Sequence, residues 1–526
     1  MAAWKFVDRI PGARALARLP GQLVGVNPFK GDCRPTRVWL LAVGTGRPVL
    51  PIPHPWNYGE PISILESYFW GADRETGAGR HNRYLNFPGF APVLVTRDPG
   101  FIRAILTDTG DREGQFDRDT LPSTGIARAT GKDTLLFANG SLWRRQRKVS
   151  AAPFGKTALF QPEMFRGFEE RFRQTVRQRL AALRQRLNDS SESSLRVPVE
   201  PEIKALMLEL LVDCFFGAEI GYERLRNVYV PALERIIDHI VHDTVANRTG
   251  LPLSFLALFS RRCAEVQADF AHFEELTDLV LAARKSGAGL WKQFRSEAPD
   301  SALRSNIKVF LAGAVEATTS YATWALSHLA RNLSAQEKVF EEVRDLEDDT
   351  PECLESACYF RNVLEETLRL TPALYFLPRR ASADTWIETA DGRKMLIPRG
   401  THILLDVWHA NRHEDHWGVP VSGFPADQFV PERWEKLAEQ NRGSKEKLHF
   451  GFGHGPRVCP GKHLGQLEVA LVVGAFVKLF RFQAVRPECP VKAGVSTKPL
   501  DGTLLDLQLR EIRQPHSDLR HLEPQV

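Results

Sequence analysis

Cysteine is scarce: the 526 residues hold seven, at 33, 214, 263, 353, 358, 459 and 489, odd in number and irregularly spaced. That excludes a disulfide framework and makes an intracellular, reducing compartment the expected setting. The sequons at Asn139, Asn188, Asn247 and Asn332 carry no weight there. Long apolar runs are missing as well. No window reaches the ~20 apolar residues of a spanning helix, and the best N-terminal candidate, Val38–Gly44, is far shorter. An excess of one charge is nearly absent, because 69 Lys and Arg stand against 64 Asp and Glu, a balance of +5. A chain-wide grip on nucleic acid is not indicated, and no nucleic-acid partner is expected. Repeats, low-complexity tracts and Gly/Ser linkers are lacking too. Residues 51–510 therefore read as one large domain between a leader, residues 1–50, and a tail, residues 511–526.

The leader is basic: its first 29 residues carry Lys5, Arg9, Arg14 and Arg18 against Asp8 alone. A transit peptide, a segment lying on an anionic membrane surface and a plain disordered or packed leader are all consistent with it. The apolar patch Leu251–Phe259 suits core packing, a lid over an apolar pocket or a dip into lipid. The expected location is cytoplasmic or peripheral to a membrane, with mitochondrial import left open.

With 43% hydrophobic and 25% charged residues the chain can bury a large core. From about residue 155 helical periodicity dominates. Met164–Leu187 repeats apolar residues every three to four positions and reads as an amphipathic surface helix. Pro201–Gly217, nearly apolar, reads as a buried helix bounded by its Pro and Gly. Ser301–Asn332 predicts a helix of ~48 Å, long enough to cross the domain, and Ser334 with Glu337 predicts a capping box that restarts the next one. Strand patterns are short: Ala91–Thr96, Thr385–Thr389, two segments between 395 and 407, and 504–509. The fold class is mainly α with a small β part.

The most informative stretch is the Gly-rich loop from Phe450 that ends in Cys459 at the start of an apolar helix. The amides at that helix start favour the thiolate of Cys459. Gly455 and Gly461 are expected to let the backbone approach a flat ligand, and Arg457 to supply a fixed cation for a carboxylate. A phosphate loop is the rival reading, but the Gly-Lys-Ser/Thr ending and the preceding strand are missing.

The run F-G-x-G-x-R-x-C-x-G from Phe452 to Gly461 resembles the haem-binding signature of the cytochrome P450 family. The resemblance implies a single domain in which haem b lies between the long helix and the Cys loop, with Cys459 as the iron ligand and Phe452, Arg457 and Gly461 against the cofactor. Glu366 and Arg369, followed by Arg433, are similar to the family's Glu-Arg-Arg triad. Trp143 with Arg147 resembles its haem-propionate helix. Arg379 resembles its propionate-binding arginine, with adjacent Arg380 able to exchange roles.

A thiolate ligand favours O–O cleavage over oxygen carriage. The resemblance thus implies insertion of one atom of O2 into an apolar small molecule, with electrons from a reductase or ferredoxin. One departure stands out. Aligned without gaps, Glu316 falls on the usual acid and Ala317 on the usual relay threonine, with Thr318 just after. Glu316 and Thr318 are the candidate catalytic residues, and a redox-partner-independent hydroperoxide isomerase or peroxygenase is the alternative function. His409, His413 and His416 place two histidines four apart, but no helix pattern surrounds them and they read as packed structure. Lys445, Lys447 and Lys462 flank the Cys loop and suit an acidic electron donor.

Overall fold

The computed structural model describes, with interruptions, residues 81–510 together with Ile62, Glu66 and Trp70. The leader, the tail, Lys445 and Lys447 lie outside the described residues. At the centre Asp300–Arg331 forms one α-helix of 32 residues. Its small residues, Ala312, Gly313, Ala314 and Ala317 and then Ala322, Ala325 and Ala330, let other helices come close on several sides. Glu200–Glu209, Arg261–Ser286, Cys358–Leu370 and Lys462–Leu479 all pack on it. Leu311, Leu326 and Leu329 have no exposed surface, and each fully buried Leu contributes about 1.5–3 kcal/mol relative to an exposed one.

The amphipathic helix runs from Pro162 to Asn188 and turns Phe172, Val176, Leu180, Leu183 and Leu187 inward, the expected stripe. The buried helix expected over Pro201–Gly217 is α-helical only over Glu200–Glu209 and widens into a π-helical turn over Leu210–Phe215. It stops at Gly217, whose φ of 70° favours glycine. The capping box is not made. The next helix begins one residue earlier than expected, at Leu333, and the Glu337 carboxylate turns away to hold the Arg510 guanidinium at 2.8 and 3.1 Å.

The β part is larger than the strand patterns foretold. Its main sheet has five strands in the spatial order Asn82–Leu85, Val93–Thr96, His402–Asp406, Phe376–Ala381, Phe116–Arg118, and only the pair Val93–Thr96 with His402–Asp406 is parallel. A three-stranded sheet places Leu504–Leu509 between Leu195–Pro198 and Phe480–Ala484. Two hairpins complete it, Thr385–Glu388 with Lys394–Ile397 and Val491–Ala493 with Thr497–Pro499. No described helix is long and apolar enough to cross a membrane.

Candidate active site

The Cys loop is shaped by residues in the left-handed region: Phe450, Gly453 and Gly455 have φ of 55°, 73° and 70°. The turns close with Gly453 N–H on the Phe450 carbonyl at 2.9 Å, Val458 N–H on the Gly455 carbonyl at 3.0 Å, and Cys459 N–H on the Phe452 carbonyl at 2.9 Å. The two glycines named from sequence do different work. A Cβ on Gly455 would fall 2.4 Å from the Leu106 carbonyl oxygen, so this glycine admits the helix Pro99–Thr107 rather than a ligand. Gly461 does face the cavity, and a Cβ there would meet only the Cys459 sulfur at 4.0 Å.

Cys459 lines a cavity of about 460 Å³, and its free surface opens into that space. Burial pushes the thiol up, while the Gly461 N–H, the Arg147 guanidinium and Lys462 pull it down. Opposite walls come from the long helix (Val309, Gly313, Ala317) and from Ile126, Ile237 and Leu374. The walls are mostly apolar, and a Cβ on Gly313 would meet nothing within 4 Å.

One rim is crowded with cations. Arg118, Arg147, Arg379 and Arg457 all line the cavity. Arg147, one turn from Trp143 on the helix Gly140–Ala151, donates to the carbonyl of Val458, the residue before Cys459, at 2.8 Å. Arg457 donates to the Ala138 carbonyl at 2.6 Å and to Asn139 Oδ1 at 2.8 Å, with its guanidinium 4.6 Å from the Trp143 ring centre. Trp143 thus seats Arg457. On the strand Phe376–Ala381 the alternation separates the two adjacent arginines, leaving Arg379 buried and Arg380 exposed. The Nε atoms of Arg118, Arg379 and Arg457 are buried without a hydrogen-bond partner. Burial pushes Arg118 down to about 10 and, with Arg118 beside it, Arg457 down to about 9. Burial, Arg118 and Arg457 together carry Arg379 well below its ordinary value. The nearby acids offset this rim only in part: Asp119, which also meets His402 Nδ1 at 2.5 Å, favours the Arg118 cation and Asp117 that of Arg457, yet burial keeps both arginines below their ordinary value. Four guanidiniums, three of them with an orphaned Nε, form a socket suited to an anion.

Beneath, Glu366 accepts both arms of Arg369 at 2.8 Å and Arg433 Nε at 3.2 Å. Val430 N–H and Trp434 Nε1 add bonds of 3.1 Å each. Arg369 reaches the carbonyls of Asn411 (2.6 Å) and Ala426 (2.7 Å), and Arg433 those of Trp417 and Pro425, the latter at 2.6 Å. Two guanidiniums on one carboxylate leave a buried positive charge, spread over a fan of backbone carbonyls. The segment from Asn411 to Gln428 is thereby tied to the helix Cys358–Leu370.

On the long helix the expected relay residues are both committed. The helix is regular, without a π-bulge, so Ala317 and Thr318 point in different directions. Thr318 Oγ1 donates to the Ala314 carbonyl at 2.9 Å, and its methyl group lies against the helix that follows Cys459. Glu316 borders the cavity, but its carboxylate takes Lys204 at 3.1 Å, Lys498 at 3.0 Å and Ser496 Oγ at 3.0 Å. Burial alone would raise this carboxyl; the two lysines overturn that and hold it far below the usual carboxylate range.

The sequence profile of the family described as Cytochrome P450 matches residues 81–504. The chain belongs to the cytochrome P450 family. Curated P450 relatives are distant but extensive. "Cytochrome P450 monooxygenase alt2" of Alternaria solani is 24% identical over 446 residues, 78% of this chain and 79% of the relative. "(+)-vincadifformine 19-hydroxylase" of Catharanthus roseus is 25% identical over 75% of this chain and 78% of the relative. "Cholesterol side-chain cleavage enzyme, mitochondrial" of Bos taurus is 24% identical over 84% and 86%. Family membership makes haem b the cofactor and general haem-thiolate monooxygenation the activity. The orphaned Nε donors of Arg118, Arg379 and Arg457 and the cavity-facing thiol of this P450 fit that cofactor.

Sequence reading missed several residues that border the P450 cavity or hold a residue lining it. Arg118 lies on a strand of only three residues, and the clue was its place in Phe116–Asp119, an acid-base run too short to interpret. Ser496, Lys498 and Lys204 reach Glu316 from two elements far along the chain, with no local signal. Glu468, on the helix after Cys459, is buried at the cavity with Oε1 unpartnered, and burial pushes it up to about 8. A lone Glu in an apolar helix was the available sign.

Proposed function

We propose that this P450 inserts one atom of O2 into an apolar small organic molecule, a lipid, terpenoid or other specialised metabolite, using electrons from a reductase or ferredoxin. The observation that carries the reading is the conjunction of a thiol and a ring of four guanidiniums around one apolar cavity. Haem b would be held by Cys459 at the iron and by Arg118, Arg147, Arg379 and Arg457, with Trp143 seating Arg457, at the carboxylates; Phe452 and Gly461 would lie against the ring. Bound there, the haem supplies the activation of O2. The chain supplies the rest. Burial holds the Cys459 thiol above its ordinary value, the Gly461 N–H, Arg147 and Lys462 offset that only in part, and what the thiolate still needs would come with bound iron. The apolar walls select an apolar substrate and exclude bulk water. In balance, O2, two electrons and two protons yield the inserted oxygen atom and one water.

Peripheral membrane contact fits Phe255, Leu258 and Phe259, which are 48, 75 and 78% exposed. Leu258→Ser with Phe259→Ser should lower co-flotation with anionic vesicles several-fold; unchanged flotation would count against that contact.

A second reading, hydroperoxide rearrangement or direct use of peroxide, is favoured by one observation: no free hydroxyl stands on the Gly313–Ala317 face. The two separate on electron supply. Product from a lipophilic substrate should form only with a reductase and its electron source. Turnover of lipid hydroperoxides without any reductase, and no reductase-dependent product, would replace the first reading by the second.

A further inference from the structure

The sequence grouped His409, His413 and His416 and gave no reason to add His81 to them. The fold supplies one. His81 directly precedes the edge strand Asn82–Leu85, and its ring centre lies 4.4 Å from that of His413 and 5.3 Å from that of His416, which are themselves 5.3 Å apart. One ring nitrogen from each lies within 4.8 Å of the others. Asp415 adds a carboxylate oxygen 3.8 Å from His81 Nε2 and 3.7 Å from His413 Nδ1. His409 takes no part, because its Nδ1 is on Asp406 at 2.8 Å.

We propose that His81, His413 and His416, with Asp415 as a fourth ligand, form a structural site for a divalent transition metal of the zinc class, separate from the haem cavity. Three imidazoles and one carboxylate are a donor set that zinc accepts and that magnesium and calcium do not prefer. Zinc–nitrogen bonds of about 2.0–2.1 Å in a tetrahedron set the nitrogens about 3.4 Å apart, so side-chain rotations of the order of 1 Å close the site. The Asp415 N–H to His413 Nδ1 bond of 3.2 Å is long and is the contact given up if that nitrogen turns to the metal. The Arg97 guanidinium opposes a cation, but it stacks over Trp70 at 4.3 Å from the ring centre, while the Asp415 carboxylate lies by His81 and His413. The position gives the metal a purpose. His413 and His416 lie between Asn411, whose carbonyl receives Arg369, and Trp417, whose carbonyl receives Arg433. A metal here staples the edge of the main sheet to the segment that holds the triad.

The test uses tag-free haem-loaded protein stripped with a chelator. Calorimetric titration with zinc chloride should show one equivalent bound, and magnesium chloride none. At a hundredfold excess over the dissociation constant the melting midpoint should rise by about 3 °C. His81→Gln and, independently, His416→Gln should each weaken zinc binding at least tenfold and remove the rise in melting, with the reduced carbon-monoxide spectrum unchanged. Zinc binding unaltered by both substitutions, or none by the unaltered protein, overturns the proposal. Either result leaves the haem-thiolate reading untouched, because the carbon-monoxide spectrum reports that separately.

Discussion

Glu366→Ala is expected to yield protein with less than a tenth of the normal haem content, recovered as apoprotein or aggregate, rather than a slow enzyme. The substitution strands two guanidiniums, those of Arg369 and Arg433, neither of which has any exposed surface. Removing one partner of a buried ion pair costs about 3–5 kcal/mol, a large share of the stability of most domains. The damage also travels, because the same arginines hold the carbonyls of Asn411, Trp417, Pro425 and Ala426. The pH dependence follows with its sign. Burial would raise the Glu366 carboxyl, but Arg369 and Arg433 reverse this and hold it below the ordinary carboxylate value. Its contribution is therefore complete above that ordinary value and is lost as the pH falls through the depressed one. Haem release should set in only in acid, and normal haem content in Glu366→Ala would contradict the structural role.

Glu316→Gln and Ala317→Thr are expected to fail and to gain in different measurements. With Glu316 held between Lys204 and Lys498, the neutral amide removes one of three carboxylates around two buried ammonium groups, which keep Glu234 at 2.9 Å and Glu200 at 3.1 Å, a loss of about 1.5–3 kcal/mol. The thermal midpoint should fall by several degrees. Ala317→Thr, by contrast, places a hydroxyl on the face that Gly313 leaves open, and should raise the fraction of reductant coupled to product. Coupling and melting, measured on both variants, separate the roles. A Glu316→Gln protein that melts normally yet wastes its reductant would make Glu316 the proton donor and reverse this assignment.

Those expectations rest on parts of the site that the sequence disclosed unequally. The Cys loop and the Glu366–Arg369 pair were legible because their chemistry is local: a glycine-rich turn before a helix, and an acid and base three residues apart on one helical face. The triad's third member, Arg433, needed the resemblance. Arg118 and the partners of Glu316 come from segments hundreds of residues apart, and only the packed helices and strands bring them together. The strand Phe376–Ala381 was obscured by its proline and two arginines, which look like loop; the fold makes it a strand by burying Arg379 between two neighbours and leaving Arg380 outside. The long helix was read within one residue at each end because its pattern spans many turns. The capping box failed because a side chain with a distant cation available, Arg510, prefers it to its own helix start.

The claim on which all of this turns is that Cys459 binds the haem iron as thiolate, and the spectrum of the reduced carbon-monoxide complex reads that bond directly. In the unaltered protein the long-wavelength thiolate Soret band should appear, and in Cys459→His it should be replaced by a short-wavelength band with haem still bound. Retention of the long-wavelength band in Cys459→His would mean that another cysteine is the ligand, and the site built here around Cys459 would be wrong.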